Sequence, residues 1–115
     1  MSHRIDIEAL SELREIMEDD FGMLLDQYIS VSHELIDEMD EDLQRDDREA
    51  LSRNAHSLKG SSMNLGAKAL AQRCGVLEEQ AKETCSADSL EALIRSIAEE
   101  YEGTVVDLEA LRNPG

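Results

Sequence analysis

His56 is followed by Lys59 and Gly60, which lie one helical turn further along the chain if the segment is helical. An imidazole is nucleophilic and partly neutral near pH 7. A lysine ammonium is a mobile point charge suited to phosphoryl oxygens. Glycine inside a helix costs about 1 kcal/mol relative to alanine, but it removes bulk, so another molecule's backbone can approach the ring. A nucleophile, a cation and an open flank together suit a group that carries a phosphoryl transiently. Ser52 and Arg53 one turn earlier, and Met63 one turn later, surround the histidine and form the expected docking surface.

The charge map marks the same stretch. The chain has 115 residues, with 27 acidic and 11 basic, for a net charge of −16. From Ala50 to Leu77 there is no Asp or Glu, yet Arg53, Lys59, Lys68 and Arg73 fall there. The acidic excess therefore lies outside the histidine segment, which predicts a neutral-to-basic docking face on an acidic body. That overall sign argues against nucleic acid and against anionic membrane surfaces, both of which select Lys and Arg.

The elements that must position His56 read as helices. The one proline is Pro114, and apolar residues recur at helical spacing throughout. Asp6 is a plausible cap for a first helix carrying Leu10, Leu13, Ile16 and Met17. A second runs from about Asp20 to Gln44 with Phe21, Leu24, Tyr28, Val31, Leu35, Met39 and Leu43 on one stripe. Asp46 and Glu49 suggest a capping box for a third helix. Its stripe is Leu51, Ala55, Leu58, Ser62 and Leu65, and Gly66 is a natural C′ residue. At about 100° per residue, His56 points roughly 140° away from the centre of that stripe, so it is not a core histidine. A fourth helix carries Leu70, Cys74, Leu77 and Ala81. A fifth, behind a second capping box at Asp88 and Glu91, carries Leu90, Leu93, Ile94, Ile97, Tyr101, Val105 and Leu108. Gly103 is a local weakness within it. Short connections predict a single all-α domain over 1–115: an up-down antiparallel four-helix bundle with a short N-terminal cap helix.

Other candidates carry less. His33 and His3 have no partner at metal-ligand spacing and read as surface residues. The acidic run Asp37 to Asp47 lacks EF-hand spacing and its central glycine. Cys74 falls on an apolar stripe; Cys85, near a helix end, has no reactive signature. No metal site, Ser-His-Asp set or phosphate-binding loop appears. A carboxylate-bridged metal bundle would need Glu-x-x-His pairs, but Ser30 precedes His33 and Arg53 precedes His56. Two cysteines without a framework, no apolar leader segment and no long apolar run together predict a cytoplasmic location.

The string Ala55-His56-Ser57-Leu58-Lys59-Gly60-Ser61-Ser62-Met63-Asn64-Leu65-Gly66-Ala67 resembles the signature of histidine-containing phosphotransfer (HPt) domains, A-H-x-L-K-G-S-S-x-x-L-G-A, without departure. The resemblance extends to Phe21 with Leu24-Leu25, to Arg45-Asp46 through Leu51, and to Leu70, Cys74 and Leu77-Glu78. The last helix matches only in periodicity. The resemblance implies that His56 is the phosphoacceptor through Nε2 and that Lys59 sits by the phosphoryl oxygens. It implies that Gly60 admits the partner's loop, and that Ser61 and Ser62 brace the site or its packing. It also implies that Glu78 orients the ring through Nδ1–H.

It further implies a stand-alone, monomeric phosphorelay intermediate without kinase or hydrolase activity of its own. Phosphate would pass from the receiver domain of a hybrid histidine kinase to that of a response regulator. No cofactor is expected on this chain, because Mg²⁺ would belong to the receiver. The competing expectation is a non-catalytic helical module for protein–protein interaction.

Overall fold

Periodic apolar spacing and the lack of internal proline leave the chain one regular structure to adopt. The computed structural model describes residues 4–83 and 85–112, and all secondary structure among them is helical. The elements are α1 (Ile7–Met17), α2 (Asp20–Gln44), α3 (Arg48–Asn64), α4 (Lys68–Ala81) and α5 (Ala87–Arg112). His3 lies outside the described residues. No described helix is long and apolar enough to cross a membrane.

The helix starts follow local chemistry, with two corrections. Asp6 caps α1, its carboxylate accepting from the Ala9 N–H at 3.1 Å. The cap of α3 is Asp47, not Asp46. Asp46 takes a left-handed φ of +55° to close the turn from α2, so the next carboxylate accepts from Ala50 N–H, at 3.1 Å. Glu49 does not reach back; it pairs with Arg53 at 3.4 Å. At α5 the cap is Ser86, whose Oγ accepts from Ser89 N–H at 3.1 Å. Asp88 instead stands in the first turn, where its charge meets the helix dipole.

Packing joins α2 to α3 and α5, and α4 to the same two helices; α1 lies against α2. Arg14 also ties α1 to the end of α5, through the Leu111 carbonyl at 3.0 Å. Leu25, Met39, Leu51, Leu58, Leu70, Leu77, Leu90, Ile97 and Leu108 are fully buried at the centre. Each such side chain contributes roughly 1.5–3 kcal/mol of transfer free energy.

The stripes of α3 and α4 are buried as their spacing predicts. The stripe of α2 is not. Its buried positions are Phe21, Leu25, Tyr28, Ser32, Ile36, Met39 and Asp42, a rotation of about 30° on the wheel that keeps Phe21, Tyr28 and Met39 inward. Val31 is left 45% exposed. α2 must face α3 on one side and α5 on the other, and that direction outweighs the best apolar stripe. Asp42 tolerates burial because Asn54 donates to it at 2.6 Å and Arg45 at 3.2 Å. In α1, Ile16 points to solvent rather than to the core.

The turn from α3 to α4 fixes where the histidine helix ends. Gly66 has φ of +71°. Its N–H donates to the Met63 carbonyl at 3.0 Å, and the Ala67 N–H to that of Ser62 at 2.8 Å. This paired pattern is the Schellman motif, which needs a left-handed C′ residue. The Gly66 carbonyl then accepts from Asp6 N–H at 2.9 Å, so the same turn anchors the start of α1. A Cβ at Gly66 would stand 2.9 Å from Asp6 Cβ.

Candidate functional site

α3 buries Leu51, Ala55, Leu58 and Ser62, and this turns His56 outward, as the wheel predicts. The side chain is 66% exposed. α4 packs beside α3 and brings Glu78 to the ring, with Oε2 at 2.9 Å from His56 Nδ1. The other carboxylate oxygen, Oε1, accepts from Lys59 Nζ at 2.7 Å. One carboxylate therefore holds both the imidazole and the Lys59 ammonium.

Glu78 is itself largely buried and well anchored. Its backbone carbonyl is one of the last four of α4, which have no partner within the helix. Ser52 Oγ donates to that carbonyl at 3.1 Å. Ser52 is thus largely buried between α3 and α4, where it lines the floor of the depression beside His56 rather than standing exposed on its surface. At about 100° from the stripe centre, it lies on the side of α3 that α4 covers.

The carboxyl of Glu78 is held below its ordinary range. The hydrogen bond from Lys59 is the main cause, and His56 adds to it against the opposing effect of burial. An ionised carboxylate accepts but cannot donate, so the proton of the neutral ring belongs on Nδ1. The lone pair is then on Nε2, which makes no hydrogen bond among the described residues.

The remaining expected positions fall into distinct places. Gly60 is exposed, and a Cβ built there would meet nothing within 4 Å. Nothing in the chain requires glycine at this position. Ser61 Oγ stays on its own helix, donating to the Ser57 carbonyl at 3.2 Å. Ser62 is fully buried and its Oγ lies 2.8 Å from Tyr28 Oη, which fastens α3 to α2 below the site. Met63 is 63% exposed, on the same face as His56 and Gly60. Arg53 is exposed beside the ring.

The four cations of the acid-free stretch do not form a basic patch. Each is matched by an acid from outside it: Arg53 by Glu49 at 3.4 Å, Lys59 by Glu78, Lys68 by Asp6 at 3.8 Å, and Arg73 by Glu100 at 3.4 Å. Arg73 turns to α5 and Lys68 to the start of α1, so only Arg53 and Lys59 flank the histidine. The face expected to be neutral-to-basic is a mixed one, with each of these cations paired to an acid.

One residue near the ring was absent from the sequence reading. Lys82 Nζ is 3.9 Å from Glu78 Oε2. With Arg53, His56, Ser57 and Glu78 it lines a shallow depression of about 330 Å³. The i, i+4 order Glu78 then Lys82 is the favourable ion-pair orientation on a helix and was the available signal. A larger hollow, about 530 Å³, lies elsewhere, between α2 and α5, and includes His33. His33 has only Asp37 near it, at 3.5 Å with both side chains well exposed.

Comparison with known proteins points the same way. The Hpt domain family matches residues 23–112. The fold is similar to the crystal structure of histidine-containing phosphotransfer protein B from Pseudomonas aeruginosa, with a TM-score of 0.87 and 33% sequence identity. The alignment covers 97% of this chain and 96% of that one. No curated protein sequence matches the chain.

Proposed function

The chain belongs to the Hpt domain family, and on that premise we propose that it is a phosphorelay intermediate whose phosphoacceptor is Nε2 of His56. Phosphate would arrive from a phospho-Asp on the receiver domain of a hybrid histidine kinase. It would leave to the Asp of a response regulator's receiver, with the reverse flow open. The observation that carries this reading is the bond between His56 Nδ1 and Glu78, on a ring that is otherwise exposed.

The step balances without a base. The Nε2 lone pair attacks phosphorus, the N–P bond forms, and the acyl P–O bond breaks with its electron pair passing to the receiver's carboxylate. Nδ1 keeps its proton, and the positive charge that develops on the ring faces the Glu78 carboxylate. Positioning and charge neutralisation account for the chemistry. Lys59 is the candidate counter-charge for the phosphoryl oxygens, which it reaches by leaving Glu78. Mg²⁺ belongs to the receiver in this scheme. The carboxylate beside the ring, Glu78, is already engaged by His56 and Lys59, which suits a carrier that must not hydrolyse its cargo.

Gly60 supports contact with a partner, because an exposed helical glycine with open space around it has no use within the chain. The ring of contacts α2–α3–α4–α5 supports an up-down antiparallel four-helix bundle with α1 as its cap. A monomer acting in the cytoplasm completes the reading.

Incubation with a phosphorylated receiver domain tests it. Wild type should gain acid-labile phosphate and His56→Gln none. A folded wild type that gains none, or a His56→Gln variant that labels equally, would leave a non-catalytic interaction module as the better reading.

A further inference from the structure

The Glu78 carboxylate has three nitrogen neighbours but only two of them at bonding distance. Lys59 Nζ is at 2.7 Å and His56 Nδ1 at 2.9 Å, while Lys82 Nζ stands off at 3.9 Å. Lys82 is 59% exposed, follows the last residue of α4, and makes no other ion pair among the described residues. Lys59 has a different constraint. Its stem lies along α4 with Cδ 3.5 Å from where a Gly75 Cβ would be, which directs its ammonium onto Glu78.

If Lys59 goes to the phosphoryl oxygens, the largely buried carboxylate loses its closest counter-ion. The His56 bond at 2.9 Å stays on Oε2, but the carboxylate loses its one full positive charge at bonding distance, which is costly for a largely buried group. Lys82 needs to close by about 1 Å to reach ordinary ion-pair hydrogen-bond distance. It approaches Oε2, the oxygen that holds the ring, and a carboxylate oxygen has a second lone pair that can accept from Lys82 beside the His56 bond.

We propose that Lys82 is a positioning residue that takes over Glu78 when Lys59 turns to the phosphoryl group, and so sets how readily Lys59 is released. The inference rests on the phosphoacceptor role of His56 proposed above. Lys82 acts through Glu78 and does not touch the phosphoryl group. It therefore matters only while position 78 is charged.

Phosphoramidate is a suitable donor, since it bypasses docking to a receiver. The rate at which the full chain gains acid-labile phosphate is compared for wild type, Lys82→Gln and Lys82→Arg, each with Glu78 and with Glu78→Gln. Lys82→Gln should slow labelling roughly two- to fivefold, the range expected of a partly exposed ion pair. Lys82→Arg should restore it, and Lys82→Gln should change nothing in the Glu78→Gln background. A normal rate in Lys82→Gln overturns the inference while leaving the phosphoacceptor reading intact. An equal slowing in both backgrounds also overturns it, by placing Lys82 on the phosphoryl group itself. A wild type that takes no phosphate from phosphoramidate or from a phosphorylated receiver removes both readings together.

Discussion

Lys59 places its Nζ on Oε1 of Glu78, 2.7 Å away, while Oε2 of the same carboxylate holds His56 Nδ1. The Lys59 ammonium is thus stored on the group that orients the histidine. Two functions that the sequence suggests separately are joined through one buried side chain on the neighbouring helix.

Replacing Glu78 by Gln should loosen the ring's tautomer. The amide can offer either oxygen or nitrogen to Nδ1, so the preference for a proton there weakens. Nitrogen-15 chemical shifts of the His56 ring should move toward a mixed population. Phosphorylation should slow about tenfold, the equivalent of one charge-assisted hydrogen bond worth roughly 1.4 kcal/mol. Unchanged shifts would mean that the helix alone orients the ring.

The Lys59–Glu78 pair should leave a mark on acid stability. The folded carboxyl lies below its ordinary value of 4.5, so the pair stabilises the fold above that pH. The contribution fades as the pH falls through 4.5 and on through the lowered folded value. Lys59→Ala should therefore cost about 1 kcal/mol at pH 7, given a lysine that is partly exposed. The gap from wild type should narrow as the pH drops toward 3. Urea midpoints measured across that interval decide it; a gap that stays constant would assign the loss to the lysine stem's packing.

Gly60→Ala separates helix stability from docking. With no atom within 4 Å of the new methyl, the helix should gain about 0.5–1 kcal/mol. Labelling by phosphoramidate should stay at the wild-type rate, whereas transfer from a phosphorylated receiver should fall. Equal transfer from both donors would show that close backbone approach is not needed.

Ser62→Ala should destabilise the fold by about 1 kcal/mol, because the buried hydroxyl of Tyr28 loses its 2.8 Å partner and is left with Ser32 alone beside it. Adding Tyr28→Phe should recover part of that loss in a double-mutant cycle. His56 chemistry well below the melting temperature should persist, since Ser62 fastens α3 to α2 and does not face the ring.

Much of this was legible in the chain. The helical stretches, the stop at Gly66 and the outward direction of His56 all follow from local periodicity and backbone preference. These depend on residues within a turn or two of one another. The cap positions were less legible. Asp46 and Asp47 both carry the right side chain, and the choice between them depends on which one closes the turn with a positive φ. The face of α2 is turned by about 30° for a similar reason: its burial is set by two neighbours, and Leu25 and Ile36 lie inward where Leu24 and Leu35 were expected, while Phe21, Tyr28 and Met39 lie inward as expected.

The site divides along the same line. The sequence alone singled out His56 as the proposed nucleophile, predicted its exposure, and placed a lysine and an open glycine one turn away. Only the tertiary structure decided what those groups do to one another. The pairing of Lys59 with Glu78, the burial of Ser52 under α4 and the reach of Arg73 to α5 all cross from one helix to another. So does the pairing of Lys68 with Asp6, and these pairs make the face around His56 mixed in charge. Charge along a chain adds without regard to direction, but charge in a fold is cancelled pairwise across helices, and helix packing sets those pairs.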